Sequence, residues 1–222
     1  MKDRQQVVIF GLEELAQIAH FYFSHDSNYD VVAFTADEEY IKKPRFLGLP
    51  AVPFENVEQA YPPEKYGMFI AIGFTNLNKS RAAKYDAAKK KGYTLASYVS
   101  SKLVSWGDTK IGDNCFILEN QTIQPFVTIG NDVIIWSGNH IGHHVAIGDH
   151  CFITSHVVIS GGANIKPYSF IGVNATIRDH IVIEKENIIG MGANIIKNTR
   201  EREVYTGSAA QLSSNDSSKT RL

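Results

Sequence analysis

Only two cysteines, Cys115 and Cys151, occur in 222 residues. Two thiols make no disulfide framework, and a chain this long builds a core without one, so both are expected to be buried thiols. Long apolar runs are also absent. Nothing approaches the roughly 20 residues that span a bilayer, and the polar start Met1 to Gln6 lacks the form of a signal peptide. A cytoplasmic chain without membrane insertion is expected. No sign of charge predominates: 22 Lys and Arg face 23 Asp and Glu, for a formal net charge of -1 and a pI near 6.7. Nucleic acid and anionic membranes favour clustered positive charge, so neither is an expected partner. With 44% hydrophobic and 20% charged residues, the chain is neither disordered nor collagen-like.

Two rhythms are present. Up to about residue 100, short apolar runs alternate with helical stretches: Val7 to Phe10, Val31 to Phe34, Met68 to Ile72 and Leu95 to Val99 read as buried strands. Leu12, Leu15, Ile18, Ala19 and Tyr22 have the spacing of one helical face, and Lys79 to Lys91 reads as a second helix that Gly92 would end in a left-handed cap. Strands alternating with helices predict a small, doubly wound parallel sheet. Lys42 to Pro63, with five prolines, is the loosest part.

From residue 111 isoleucine recurs every six residues, fifteen times without an insertion, ending at Ile195. Six does not match a helix of 3.6 residues per turn; it suits short strands joined by corners, a parallel β-helix of hexapeptide repeats. The residue four after each Ile, from Cys115 to Thr199, is uncharged throughout and is expected to point inward beside it. Glycines after Ile at 112, 130, 148, 172 and 190 overlay a period of eighteen, hence a triangular prism of three faces. Cys115 and Cys151 fall two coils apart, at about 9 to 10 Å, too far for a disulfide. Glu201 takes the next expected core position, so the repeat is expected to stop at Ile195.

Five of eight histidines, His140, His143, His144, His150 and His156, crowd into seventeen residues of this region. His144, His150, His156 and His180 all stand three after an Ile, a recurring corner; His143 alone stands two after one. A surface His is more often structural than catalytic, yet the adjacent pair His143-His144 in a regular wall makes the first candidate base. Trimeric carbonic anhydrases of the same repeat hold zinc through an H-x4-H pair, and no two histidines of this cluster are five apart, so no metal is expected. Ser160-Gly161-Gly162 lies one coil after His143 and reads either as a tight corner or as a place where a free N-H meets an oxyanion. In the first half, Gly11 follows a strand and opens a helix where phosphate would bind, but Glu13 and Glu14 would repel it. Asp37, past the second strand, could meet a ribose or base edge or be a solvated turn; Gly73 to Asn76 end the third strand at the ligand-binding edge of such sheets.

Taken together, and most specifically in Asn139 to Asp149 followed by Ser160-Gly161-Gly162, the chain resembles the bacterial nucleotide-sugar acyltransferases of the bacillosamine and perosamine N-acetyltransferase and sialic acid O-acetyltransferase type, over about residues 7 to 210. The resemblance implies an α/β Rossmann-like nucleotide-sugar-binding domain over 1–100, a left-handed parallel β-helix over 101–207, and a polar, disordered tail over 208–222. It implies His143 as general base and Gly161 N-H as donor to the acyl carbonyl, with His144 where an acidic residue commonly follows the base. Ser160, Gly161, Gly162 and Gly192 would meet acetyl-CoA; Gly11, Asp37, Gly73, Asn76 and Asn139 would meet the sugar nucleotide. The family's Gly-x-x-Gly-His-Gly is reduced here to Gly11, and Ala209 stands where proline is usual.

The activity so implied is acetyl-CoA-dependent N-acetylation of a nucleotide-linked amino sugar for a surface glycan such as the lipopolysaccharide O-antigen, by a homotrimer. O-acetylation of a sugar hydroxyl is the alternative within the same architecture. A non-catalytic nucleotide-sugar-binding trimer is the alternative from another class.

Overall fold

The computed structural model describes residues 4–212 and residue 218. Of the polar tail, 213–217 and 219–222 lie outside the described residues. In the first half, five strands form one sheet: β1 (Gln5–Phe10), β2 (Tyr29–Ala36), β3 (Arg45–Phe46), β4 (Leu49–Pro53) and β5 (Gly67–Ile70), in the order β3-β4-β2-β1-β5. All pairs are parallel except β3 with β4. Three helices accompany them: α1 (Glu14–His25), the single turn α2 (Val57–Ala60) and α3 (Lys79–Lys90). Alternation along the strands decides which helix covers which face. Val7, Ile9 and Phe69 pack with Ala16, Ala19 and Phe23 of α1, whereas Val8, Phe10, Met68 and Ile70 pack with Tyr85 and Ala88 of α3.

Three of the four expected strands form, and Gly92 ends α3 with φ +90°, as the pattern predicts. The fourth differs. Leu95 only bridges Met68, and Tyr98–Val99 pairs instead with Phe116–Ile117, opening the prism. The proline-rich stretch also differs, since it contributes β3 and β4: Pro50 and Pro53 lie in β4, near the edge of the sheet, where a missing N-H is tolerated.

From Tyr98 onward, three stacked sheets enclose a core of isoleucine. Each strand pairs in parallel with the strand eighteen residues on, as in Ile134↔Phe152 and His140↔Val158. Ile111, at the open end, is half-buried; the other fourteen of the series are buried, as are the residues four after each, from Cys115 to Thr199. Both cysteines are free, and burial pushes their thiols up to about 12. The coil continues past Ile195 by dropping two residues: Val204–Tyr205 pairs with Ile188–Ile189, sixteen residues back.

Three residues after every Ile from Ile111 to Ile189, the backbone is left-handed, with φ between 52° at Asn114 and 82° at Gly138. Asn, Asp, Gly and His are the residues that tolerate this region best. His144, His150, His156 and His180 thus occupy their phase for a backbone reason, and His143 does not.

One face of the prism, running from Tyr98–Val99 through Phe116–Ile117, Ile134–Ile135, Phe152–Ile153 and Phe170–Ile171 to Val204–Tyr205, receives the N-terminal half; we call it the docking face. Its outward residues Tyr98, Phe116, Ile134 and Phe152 join Phe23 and Phe69 in one cluster. Along the chain the second face follows, with His140–Ile141 and Val158–Ile159, and then the third, with Ala146–Ile147 and Asn164–Ile165.

Candidate active site

His143, His144 and Ser160 to Gly162 share the corner column between the second and third faces, the prism edge opposite the docking face. His143 is exposed. Its backbone N-H donates to Gln124 Oε1 at 2.9 Å, and its Nδ1 lies 3.1 Å from His144 Nδ1, so one ring donates and the other accepts. Phe126 packs against the His144 ring, with centroids 4.7 Å apart. The His143 ring covers Gly161: a Cβ there would lie 2.6 Å from its Cε1 and 2.7 Å from its Nε2. Only glycine lets this ring approach the backbone so closely. The neighbouring amides are engaged, Ser160 N-H with Ile177 O at 3.0 Å and Gly162 N-H with His143 O at 2.8 Å. Gly161 N-H has no partner among the described residues. An imidazole with a free ring nitrogen beside an unpaired N-H is the pair of groups that acyl transfer needs, a proton acceptor and a hydrogen-bond donor to an oxyanion.

Four of the five residues expected at the sugar nucleotide, Gly11, Asp37, Gly73 and Asn76, gather elsewhere, at the carboxyl ends of β1, β2 and β5. Gly11 (φ +126°) donates its N-H to Thr35 O at 2.8 Å and so offers a ligand no free donor. Asp37 Oδ1 accepts from Lys84 Nζ at 2.5 Å, and the Lys84 ammonium also faces the rings of Phe10 and Phe54. Gly73 O accepts from Arg81 Nη1 at 2.9 Å, and Asn76 is exposed.

Residues 108–139 and 126–161 match the bacterial transferase hexapeptide family (six repeats). Residues 108–161 carry this hexapeptide repeat. No curated protein sequence matches it. Among solved structures it is similar to PerB from Caulobacter crescentus in complex with CoA and GDP-perosamine, at 21% identity over 91% of each chain and a TM-score of 0.77. It is also similar to the acetyltransferase domain of PglB from Neisseria gonorrhoeae in complex with acetyl coenzyme A, at 16% identity over 92% of this chain and 97% of that one, with a TM-score of 0.78. WeeI from Acinetobacter baumannii follows at 19% identity, 90% and 93% coverage and a TM-score of 0.54. The fold is therefore shared with PerB and with the PglB acetyltransferase domain, and the hexapeptide repeat read from the sequence is the one matched over residues 108–161. The repeat and its parallel sheets fit a left-handed β-helix.

Two of the expected site residues lie apart from the pair formed by His143 and Gly161 N-H. Asn139, expected to meet substrate, is 2% exposed inside the prism, where its Oδ1 accepts from Val157 N-H at 2.6 Å, its Nδ2 donates to Trp136 O, and its own N-H donates to Gln121 Oε1. A buried amide must be paired, and this one is paired with backbone. Gly192 lies on the edge between the docking and second faces, apart from Ser160 to Gly162, so a single chain does not bring them together. The hexapeptide reading also passed over Gln124, Arg81 and Asp132. Gln124 stands one after an Ile in the coil below His143, a signal the period does contain. No group of His, Cys, Asp and Glu among the described residues is arranged to hold a metal, and no described helix is long and apolar enough to cross a membrane.

Proposed function

We propose that this chain is an acetyl-CoA-dependent N-acetyltransferase acting on the amino group of a nucleotide-linked amino sugar, built from a Rossmann-like domain over 1–100 and a left-handed β-helix over 101–207. The observation that carries the reading is the exposed His143 ring lying on Gly161, whose N-H is unpaired. In the productive tautomer, His143 Nδ1-H donates to His144 Nδ1, which leaves His143 Nε2 to accept a proton. As the amine nitrogen bonds to the thioester carbonyl carbon, Nε2 takes its proton. Gly161 N-H donates to the carbonyl oxygen as charge builds there, an effect of roughly 3 kcal/mol for one such donor. The imidazolium then returns its proton to the sulfur as the C–S bond breaks. His144 holds the ring in orientation as the acidic neighbour of related chains would. PerB is described with CoA and GDP-perosamine bound, and a histidine-to-alanine variant of GDP-perosamine N-acetyltransferase with both ligands, which supports this substrate class.

Topology supports an assembly of several copies. The N-terminal half sits on the docking face and His143 on the opposite edge, so a sugar held at the carboxyl end of the sheet lies on another side of the prism from the base of its own chain. A homotrimer places one copy's base beside another's sugar site, and a cytoplasmic location suits the substrates. The test is release of free thiol from acetyl-CoA against UDP-, dTDP- and GDP-linked 3-amino and 4-amino sugars beside their hydroxyl counterparts. Turnover with an amino sugar supports the proposal. Turnover with hydroxyl sugars alone replaces it with O-acetylation, and absence of CoA binding replaces it with a non-catalytic trimer.

A further inference from the structure

The chain leaves β1 toward β2, while β5 lies on the other side of β1, so the crevice at the switch point opens between the carboxyl ends of β1 and β5. Gly11 forms one lip. A Cβ on it would meet Ala71 O at 2.8 Å, so the loop after β5 touches it directly and forms the other. That second loop, residues 71–78, is unlike any corner of the prism. Asn76, Leu77 and Asn78 have φ of 51°, 50° and 66°, three consecutive left-handed residues with no glycine among them. Even one such residue is uncommon, and strain of this kind persists only where surrounding structure over-determines it. Asn78 is moreover fully buried with its Nδ2 unpaired among the described residues.

The surrounding structure is a single buried arginine. Arg81, 0% exposed, uses all five N-H groups: Nη1 to Gly73 O at 2.9 Å and Asn78 Oδ1 at 3.1 Å, Nη2 to Asp132 O at 3.0 Å and Cys151 O at 3.2 Å, and Nε to Asp132 Oδ1 at 3.0 Å. Asp132, also 0% exposed, accepts further from Asn114 Nδ2 at 2.7 Å and His150 Nδ1 at 2.8 Å. Asn114 in turn accepts the N-H of Ile70, the last residue of β5, at 2.8 Å. Both ends of the loop are thereby fixed to the prism, and between them Phe74, 55% exposed, lies against Phe152 and Phe170 with centroids 5.1 and 5.0 Å away.

We infer that Arg81 and Asp132 are positioning residues that hold the Gly73 to Asn78 loop in its ligand-ready shape at the lip of the crevice. The identity of the ligand, an amino-sugar nucleotide, rests on the function proposed above. The pair touches no reacting atom. It acts by keeping the competent loop populated, so loosening it weakens apparent affinity by the fraction lost.

The variant to make is Arg81→Lys, which keeps a cation beside Asp132 but cannot reach Gly73 O, Asn78 Oδ1 and Cys151 O together. KM for the amino-sugar nucleotide is expected to rise about tenfold, with KM for acetyl-CoA and kcat within about twofold of wild type. Amide hydrogen exchange is expected to quicken at residues 73–78 and stay unchanged at 140–165. Asn78→Gly, which leaves the left-handed geometry open and removes one of the five bonds, is expected to do the same to a smaller degree with the Arg81–Asp132 pair intact. Parallel changes in both KM values, or unchanged exchange at 73–78 in a folded variant, overturn the inference. If the wild-type chain acetylates no amino sugar, the functional proposal fails, and exchange at 73–78 alone decides the positioning role.

Discussion

Two edges of the same prism are built from the same left-handed corners and have opposite characters. On the edge between the second and third faces, His143 is exposed and Gly161 N-H is unpaired. On the edge between the third and docking faces, Asp132 and Arg81 are wholly buried and every Arg81 N-H is paired. The regular wall supplies positions; whether a position is chemistry or structure depends on what packs over it. Where the N-terminal half lands, polar groups are sealed into a hub that joins the halves. Where none of the described residues lands, they stay exposed.

The largest effect that would break this contrast lies on the sealed edge. Asp132→Ala leaves a buried guanidinium without its carboxylate, and thermal or urea unfolding should show a loss of about 3 to 5 kcal/mol. A loss below about 1 kcal/mol would mean the hub is not the joint between the halves. On the open edge, His143→Ala should lower kcat at least about 100-fold, with CoA affinity and melting temperature unchanged, because an exposed ring carries little packing. An unchanged rate would remove His143 as the base.

Another tie between the halves is sensitive to pH. Asp26, at the end of α1, accepts from Tyr98 Oη at 2.7 Å and Ser101 N-H at 3.0 Å, and its hydrogen bonds to Ser101 and Tyr98 lower its pKa to about 2. A carboxylate with a depressed folded pKa stabilises above its unfolded value and loses that contribution as pH falls through the folded one. Unfolding curves taken from pH 5 down to pH 2 should therefore show a loss that Asp26→Asn abolishes, on the order of 1 kcal/mol after allowance for solvent screening. The smallest effects belong to corners with neither role. His156→Asn should change stability by less than about 0.5 kcal/mol, since Asn suits the same backbone, whereas His156→Val should cost more than about 1 kcal/mol.

Much of the prism was legible because its forces are local and repeated. An isoleucine every six residues states the strand, the inward face and the corner at once, and fifteen repetitions leave no competing register. The six-residue repeat ends at Ile195 as the sequence indicates, with Glu201 exposed, and only pairing with Ile188–Ile189 reveals that Val204–Tyr205 adds a shortened coil. Asn139 follows its phase, which marks it as inward-pointing, and the structure buries it. His143 stood apart by phase alone, two after an Ile rather than three.

The sequence by itself determined the prism, its axial order and the odd phase of His143, since each follows from a period acting on neighbours six and eighteen residues away. The tertiary structure alone decided which edge is open and which is sealed. Arg81 and Asp132 lie 51 residues apart in different rhythms, and no spacing rule links them. They meet because one apolar face of the prism and the α1 side of the sheet bury each other, and that docking removes water from one edge and leaves it at the other.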